Sequence, residues 1–165
     1  MILGLTLPQF TALHVAISLV GIGAGLIALS AFARGLILPR TTGIFLFTTL
    51  LTSLTGFVFP IAAFTPALGF GILSTLILVA TFWAWYRRKL VGSAAIVYPV
   101  TATLALYLNL FVLVVQSFQK VPALNALAPI GSEPPFAIAQ GLLLLAMIGL
   151  GYLGFKAARR RNAVA

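Results

Sequence analysis

The sequence predicts an all-α fold, a polytopic transmembrane helical bundle with five spans. The prediction rests on composition, on the length of the apolar runs and on the placement of charge. Of the 165 residues, 62% are hydrophobic and 7% are charged, and the mean hydropathy is +1.18. A soluble domain needs roughly a quarter to a third of its surface positions charged, so the soluble folds are excluded.

Five runs of about 20 apolar residues, the length that a spanning helix requires, lie between charges or prolines. Thr41 and Thr42 offer N-caps for the second run, and Thr65 followed by Pro66 has the pattern of a helix start for the third. We therefore place the spans, within one integral membrane domain of residues 1–165, at 10–33, 42–63, 67–86, 94–118 and 136–155.

The segments outside the spans have distinct compositions. The third span ends in Trp83, Trp85 and Tyr86 directly before Arg87–Lys89, the pattern of an aromatic belt at a membrane surface. Residues 119–135 are polar and proline-rich and form the sizeable outer loop, whose apolar stretch is too short to span and is expected on the membrane surface or folded over the bundle. Residues 156–165 are predicted as a basic cytoplasmic tail with a frayed end.

Charge placement predicts the orientation. Nine of the ten Lys and Arg residues fall in the first and third connections and in the tail, and only Lys120 falls on the other side. Because short loops rich in Lys and Arg stay in the cytoplasm, we expect the N-terminus outside and the C-terminus inside. Topology thus accounts for the net charge of +9, and no nucleic-acid partner is expected.

Polar side chains cluster near the predicted outer face, where burial in a bilayer is costly. Our hypothesis is that these polar side chains line a ligand pocket under the outer loop. The alternatives are structural roles without a ligand: His14 bonds a backbone carbonyl, the glutamines end their helices, and Lys120 and Glu133 form an ion pair. The candidate pocket residues, including one deeper amide, are His14, Asn109, Gln116, Gln119, Lys120, Glu133 and Gln140.

Asn109 lies near mid-membrane and needs a hydrogen-bond partner. The second span offers hydroxyl groups at comparable depth, so an interhelical bond is the default interpretation. A polar path for a proton, an ion or a small solute is the alternative, weakened by the lack of an intramembrane acid or base. The face of the second span in question carries Thr48, Thr52, Ser53, Thr55 and Gly56.

Glycines predict close helix packing. Gly21 and Gly25 form a small-xxx-small pair on the first span, for contacts within the chain or across a dimer, with Thr52 and Gly56 as packing positions on the second. Residues 149–154 match the G-x-G-x-x-G dinucleotide pattern. They sit at the end of a spanning helix with no preceding strand, so the match is rejected.

Reactive groups are scarce. The chain has no Cys, one His and one acidic residue, so thiolate chemistry, a bis-His haem and a His-rich metal site are excluded. A triad of Ser117 or Ser132 with His14 and Glu133 lacks any nucleophile-elbow pattern and is not proposed. We expect no catalytic residue, no metal and no cofactor.

The segments Leu106–Phe118, with the pattern LYLNLFVLVVQSF, and Ser132–Phe136, with the pattern SEPPF, are distinctive. In these segments the chain resembles an uncharacterised family of small polytopic bacterial inner-membrane proteins. The resemblance covers most of the chain and implies a location, the bacterial cytoplasmic membrane, rather than an activity.

These observations favour a non-enzymatic accessory or self-associating subunit, with the lipid bilayer, a homo-oligomer or a larger membrane complex as its partners. The alternative is a small-solute carrier or a lipophilic-ligand binding protein, for lipid or quinone, with its pocket at the outer face. A third hypothesis is a quinone-linked redox anchor in which His14 and the outer glutamines contact the quinone headgroup.

Overall fold

The computed structural model describes residues 1–60 and 66–163, and the regular elements in this part of the chain are all helices. The all-α prediction is therefore confirmed for the described residues. A π-helical turn, Trp83–Arg87, continues the third helix. The helices are α1 Leu7–Ala33, α2 Pro39–Gly56, α3 Pro66–Phe82, α4 Ala94–Lys120, α5 Pro122–Leu127 and α6 Pro134–Asn162.

The long helices run alternately up and down. His14 near the start of α1 bonds Thr55 near the end of α2, which makes these two helices antiparallel. Gln140 near the start of α6 bonds the carbonyl of Phe111 in the second half of α4, so this pair is antiparallel as well.

Gly71 near the start of α3 faces Phe57 after the end of α2, and Gly154 near the end of α6 lies close to Phe32 near the end of α1. The ends of α1, α3 and α6 therefore share one end of the bundle with the starts of α2 and α4.

That shared end carries nine of the ten Lys and Arg residues, and we call it the basic end. Asn162 Nδ2 donates to the Gly92 carbonyl at 3.0 Å, which ties the last turn of α6 to the loop before α4. The N-terminus, Lys120 and Glu133 lie at the other end, which we call the opposite end. The basic end carries Arg34, Arg40, Arg87, Arg88, Lys89, Lys156, Arg159, Arg160 and Arg161.

Glycine lets α1 and α2 approach closely. A Cβ atom on Gly21 would lie 2.9 Å from Thr48 Oγ1, and one on Gly25 would lie 2.7 Å from Phe45 Cδ2 and 3.0 Å from Leu106 Cδ1 of α4. Distances below 3.0 Å leave no room for a side chain, so both glycines face the interior of this chain. The sequence left open whether these glycines pack within the chain or across a dimer, and the structure shows contacts within the chain.

Two glycines of the rejected nucleotide pattern pack α6 against α4. A Cβ atom on Gly154 would lie 3.0 Å from Pro99 Cβ, and one on Gly151 would lie 3.4 Å from Thr103 Cγ2. Gly149, by contrast, has no atom within 4 Å of the position that its Cβ would take. The motif thus places two packing positions and one open position on a single helix.

Several helix ends differ from the sequence prediction because side chains and prolines cap them. The helix α1 begins at Leu7 rather than 10, since the Thr6 backbone N–H and hydroxyl both donate to Gln9 Oε1 at 2.9 Å. The helix α2 begins at Pro39, a favoured first-turn residue, so the threonines at 41 and 42 are not its caps. It ends at Gly56 rather than 63; residues 61–63 and Thr65 lie outside the described part.

The later helices extend further than predicted. The helix α4 continues to Lys120, and the predicted outer loop contains the short helix α5. The helix α6 runs from Pro134 to Asn162, so the predicted basic tail is mostly helical. Cations near a helix C-terminus interact favourably with its macrodipole, and the bond from Asn162 to Gly92 adds a fixed contact.

Four described helices are long and apolar enough to cross a membrane: α1, the segment Leu68–Arg87, α4 and α6. The helix α2 is not among them. It has 18 residues, about 27 Å of helix, and threonine and serine hydroxyls lower its hydropathy. Those hydroxyls fold back onto its own backbone carbonyls, as Thr48, Thr52 and Thr55 show, or face neighbouring helices.

Candidate functional site

The only histidine forms a contact between two helices at the opposite end. His14 Nδ1 lies 2.8 Å from Thr55 Oγ1, and the ring packs edge-on against Phe59 with centroids 5.2 Å apart. The Thr55 hydroxyl also lies 2.7 Å from the Leu51 carbonyl, to which it donates when His14 carries its proton on Nδ1. In the neutral ring, Nε2 then carries the lone pair.

Lys120 is the second predicted pocket residue near this histidine. It ends α4 and lies within electrostatic range of the His14 ring. An ammonium donor and an imidazole acceptor therefore lie at the same end of the bundle, together with the Phe59 ring. We call His14, Thr55, Phe59 and Lys120 the His14 cluster. Within it, His14 contacts Thr55 and Phe59 directly, whereas Lys120 acts on the ring through its charge.

Asn109 connects α4 to α2. Its Nδ2 donates to Thr49 Oγ1 at 3.4 Å, a long bond to a hydroxyl that is fully buried. The partner helix is the one expected from membrane depth, but Thr49 is not among the hydroxyls named from the sequence. Helix rotation determines which hydroxyl faces Asn109, and the sequence does not give that rotation.

Gln140 connects α6 to α4. Its Nε2 donates to the Phe111 carbonyl at 3.2 Å, whereas its Oε1 is buried and has no hydrogen-bond partner in the described structure. The position is therefore an interhelical contact with one unused acceptor. The two remaining glutamines of the predicted pocket, Gln116 and Gln119, make no hydrogen bond to any described residue, and Gln119 is exposed.

Glu133 stabilises the turn before α6. Its Oε1 accepts the Ile130 N–H and its Oε2 accepts the Ser132 N–H, both at 2.9 Å. These donors, that of Ile130 first, lower the pKa of the carboxyl from its ordinary value of 4.5. The carboxylate thus bonds its own loop, and within the described residues it forms no ion pair with Lys120, contrary to the alternative raised from the sequence.

The predicted pocket residues therefore divide into separate contacts. His14 bonds Thr55, Asn109 and Gln140 each join a pair of helices, and Glu133 holds a turn. Thr52 is buried with its hydroxyl on the Thr48 carbonyl, and Gly56 lies beside the His14 ring. Among the described residues, no group of three His, Asp or Glu is placed to hold a metal ion.

Among the four described helices that are long enough to cross a membrane, α6 is the least buried. In its most apolar stretch only 6% of the residues are buried, against 39% for α1 and for α4. Ile138, Leu142 and Leu145 point outward, and Gly141 and Gly149 have nothing within 4 Å of their Cβ positions. We call these five residues the α6 stripe.

Sequence reasoning missed the α6 stripe. The glycine pair predicted to pack, Gly21 and Gly25 on α1, has a spacing of four, whereas Gly141 and Gly149 lie eight residues apart. The signal that was present is the set Gly141, Leu145 and Gly149, spaced by four and so on one face of a helix.

No protein-family model, no curated protein and no solved structure matches this chain.

Proposed function

We propose that this chain is a non-enzymatic integral membrane protein that associates with a second copy of itself through the α6 stripe. The main support for this proposal is a difference in the space around the Cβ positions of the helical glycines. Gly21, Gly25 and Gly154 each form a close helix contact within the chain, whereas Gly141 and Gly149 have open space at their Cβ positions. These two glycines flank the exposed Leu145 on one helix face, an arrangement that Gly23, the one open glycine of α1, lacks.

A glycine that faces only lipid has no stabilising role. It costs about 1 kcal/mol of helix propensity relative to alanine, and it removes apolar surface from the lipid contact. In membranes, small residues are enriched where two helix backbones approach closely, because the hydrophobic effect does not itself drive helices together there. Two outward glycines on either side of Leu145 fit such a contact.

Copies inserted in one orientation associate with parallel α6 helices, and a closed dimer then places each stripe against itself about a two-fold axis. Gly141 and Gly149 allow the helix backbones to approach, and Leu145 packs between them. Lys156 continues the same face at the basic end, so like charges there splay the two helices slightly apart. The contact is therefore centred on Leu145.

The test is the oligomeric state in lipid nanodiscs or mild detergent, measured by native mass spectrometry at several protein concentrations. The double substitution Gly141→Leu/Gly149→Leu is expected to raise the dimer dissociation constant at least about tenfold, or about 1.4 kcal/mol. Gly23→Leu is the matched control, since Gly23 is also an exposed helical glycine with nothing within 4 Å. A monomeric wild-type chain, or equal effects of both substitutions, contradicts the proposal.

The proposed topology is five spans in the bacterial cytoplasmic membrane, with the N-terminus outside and the C-terminus inside. It is supported by nine cations at one end of the bundle, by the antiparallel pairing of α2 with α1, and by the family resemblance in Leu106–Phe118 and Ser132–Phe136. The chain has no native Cys, so Leu3→Cys and Ala163→Cys can be compared with an impermeant maleimide on intact cells. Labelling of Ala163→Cys from outside contradicts this topology.

The second candidate function is binding of a lipophilic ligand such as a quinone at the opposite end. The observation in its favour is the His14 cluster, in which the imidazole contacts the Phe59 ring and lies within electrostatic range of the Lys120 ammonium. A stoichiometric quinone extracted from the purified protein and lost in His14→Phe supports this candidate. Its absence from the wild-type extract contradicts it.

A further inference from the structure

A groove of about 350 Å³ runs between α4 and α6 on the outside of the bundle. Its walls are almost entirely apolar. Gly151 and Gly154 hold α6 close to α4 at the basic-end side, while the outward side chains on either side remain uncovered. The wall residues include Val100, Leu104 and Tyr107 of α4 and Leu144, Ile148 and Tyr152 of α6.

A second cavity, of about 330 Å³, lies next to this groove at the basic end. It is lined by Tyr152 and Phe155, which also line the groove, and by Lys156, Arg159 and Arg160. The Arg159 guanidinium lies 5.8 Å from the centre of the Phe155 ring, within the range of a cation–π contact. The two cavities therefore adjoin at Tyr152 and Phe155, one apolar along the helices and the other lined by cations at the basic end.

We propose that the two adjoining cavities together bind one anionic phospholipid, with an acyl chain in the α4/α6 groove and the phosphate at Lys156 and Arg159. Tyr152 lies at the junction, where an amphipathic phenol suits the boundary between acyl chain and headgroup. The cations lie where a spanning helix reaches the membrane surface, at the same end as the aromatic residues Trp83–Tyr86. The position of the cations near the membrane surface and the apolar groove beside them therefore suit a ligand that has both an anionic headgroup and an apolar chain.

Charge favours a lipid over a second copy of the chain as the occupant. The basic end carries nine cations and, among the described residues, no acid, so the basic end of a second copy supplies no anion for Lys156 and Arg159. An anionic headgroup neutralises part of that charge. The lipid site also lies beside the α6 stripe, since Gly141, Leu145 and Gly149 do not line the groove.

The probes are phosphatidylglycerol, which is anionic, and phosphatidylcholine, which has no net charge, added to the delipidated full-length protein. Native mass spectrometry counts lipids retained per chain. Wild-type protein is expected to retain one phosphatidylglycerol at least about tenfold more strongly than phosphatidylcholine. The double substitution Lys156→Gln/Arg159→Gln removes this preference, and Leu104→Trp, which fills the groove, lowers retention of both lipids.

Matched controls separate a built site from general attraction. Arg161→Gln removes a cation that does not line the site, and Leu76→Trp enlarges an outward leucine of α3; both are expected to bind as wild type. Equal losses in Arg161→Gln and in the double substitution overturn the proposal in favour of diffuse charge attraction. If millimolar inorganic phosphate displaces the bound phosphatidylglycerol, the acyl chain does not contribute to binding, and the proposal of a phospholipid site is overturned. Dimer masses in the same spectra report self-association separately.

Discussion

Gly25 of α1 and Phe45 of α2 are in direct contact: a Cβ atom on Gly25 would lie 2.7 Å from Cδ2 of the Phe45 ring. Phe45 is fully buried and Leu106 of α4 approaches the same point, so neither neighbour has free space to move into. Three helices therefore meet at a position where only glycine fits.

Gly25→Ala is expected to destabilise the protein by about 1–3 kcal/mol, the usual cost of overpacking a filled interior. Gly23→Ala is the control two residues along α1, where no atom lies within 4 Å, and it is expected to be neutral or slightly stabilising because alanine favours helix. Unfolding in mixed detergent micelles measures both. Equal stability of the two variants contradicts the close contact.

Asn109→Leu is expected to reduce stability by about 0.6–1.7 kcal/mol, the range measured for interhelical hydrogen bonds in membranes. The loss arises because the buried Thr49 hydroxyl no longer receives the Asn109 amide. A double-mutant cycle with Thr49→Val isolates the pair, and Thr101→Val, whose hydroxyl bonds its own helix, serves as the control. A coupling energy of zero between Asn109 and Thr49 rules out this hydrogen bond.

The turn before α6 is expected to loosen in acid. Folding lowers the pKa of Glu133, so its contribution is present above the ordinary value of 4.5 and is lost as the pH falls through the lower folded value. Amide hydrogen exchange of Ile130 and Ser132, corrected for intrinsic rates, should therefore accelerate in that window. Glu133→Gln should flatten this pH dependence; an unchanged profile in that variant assigns the effect to another group.

The positions of the long helices could be predicted from the sequence because apolar runs between charges set them. Their ends could not, since they depend on contacts such as Thr6 with Gln9 and Asn162 with Gly92. A hydropathy pattern does not register a side chain that reaches back to a backbone group. As a result, α6 continues through the basic residues to Asn162, seven residues beyond its predicted end at 155.

The candidate site was predictable only where membrane depth alone decides the contact. Depth predicts a bond from Asn109 to a hydroxyl of α2, and the structure has it, with Thr49 as the partner. The bond from His14 to the Thr55 hydroxyl was not predicted, since a backbone carbonyl was the expected partner outside the pocket. The role of Glu133 depends on a turn in which Gly131 adopts a φ of +76°, a backbone conformation that charge and spacing do not specify. The outward α6 stripe depends on which face of α6 the other helices leave uncovered.

Cysteine cross-linking in membranes tests self-association through α6 most directly, because the chain contains no native Cys. Leu145→Cys places a thiol at the centre of the α6 stripe, and Leu76→Cys places one on an equally outward leucine of α3. Mild oxidation of vesicles should yield a cross-linked dimer from Leu145→Cys well above the level from Leu76→Cys, reduced by adding Gly141→Leu/Gly149→Leu. Equal cross-linking at the two positions contradicts self-association through the α6 stripe.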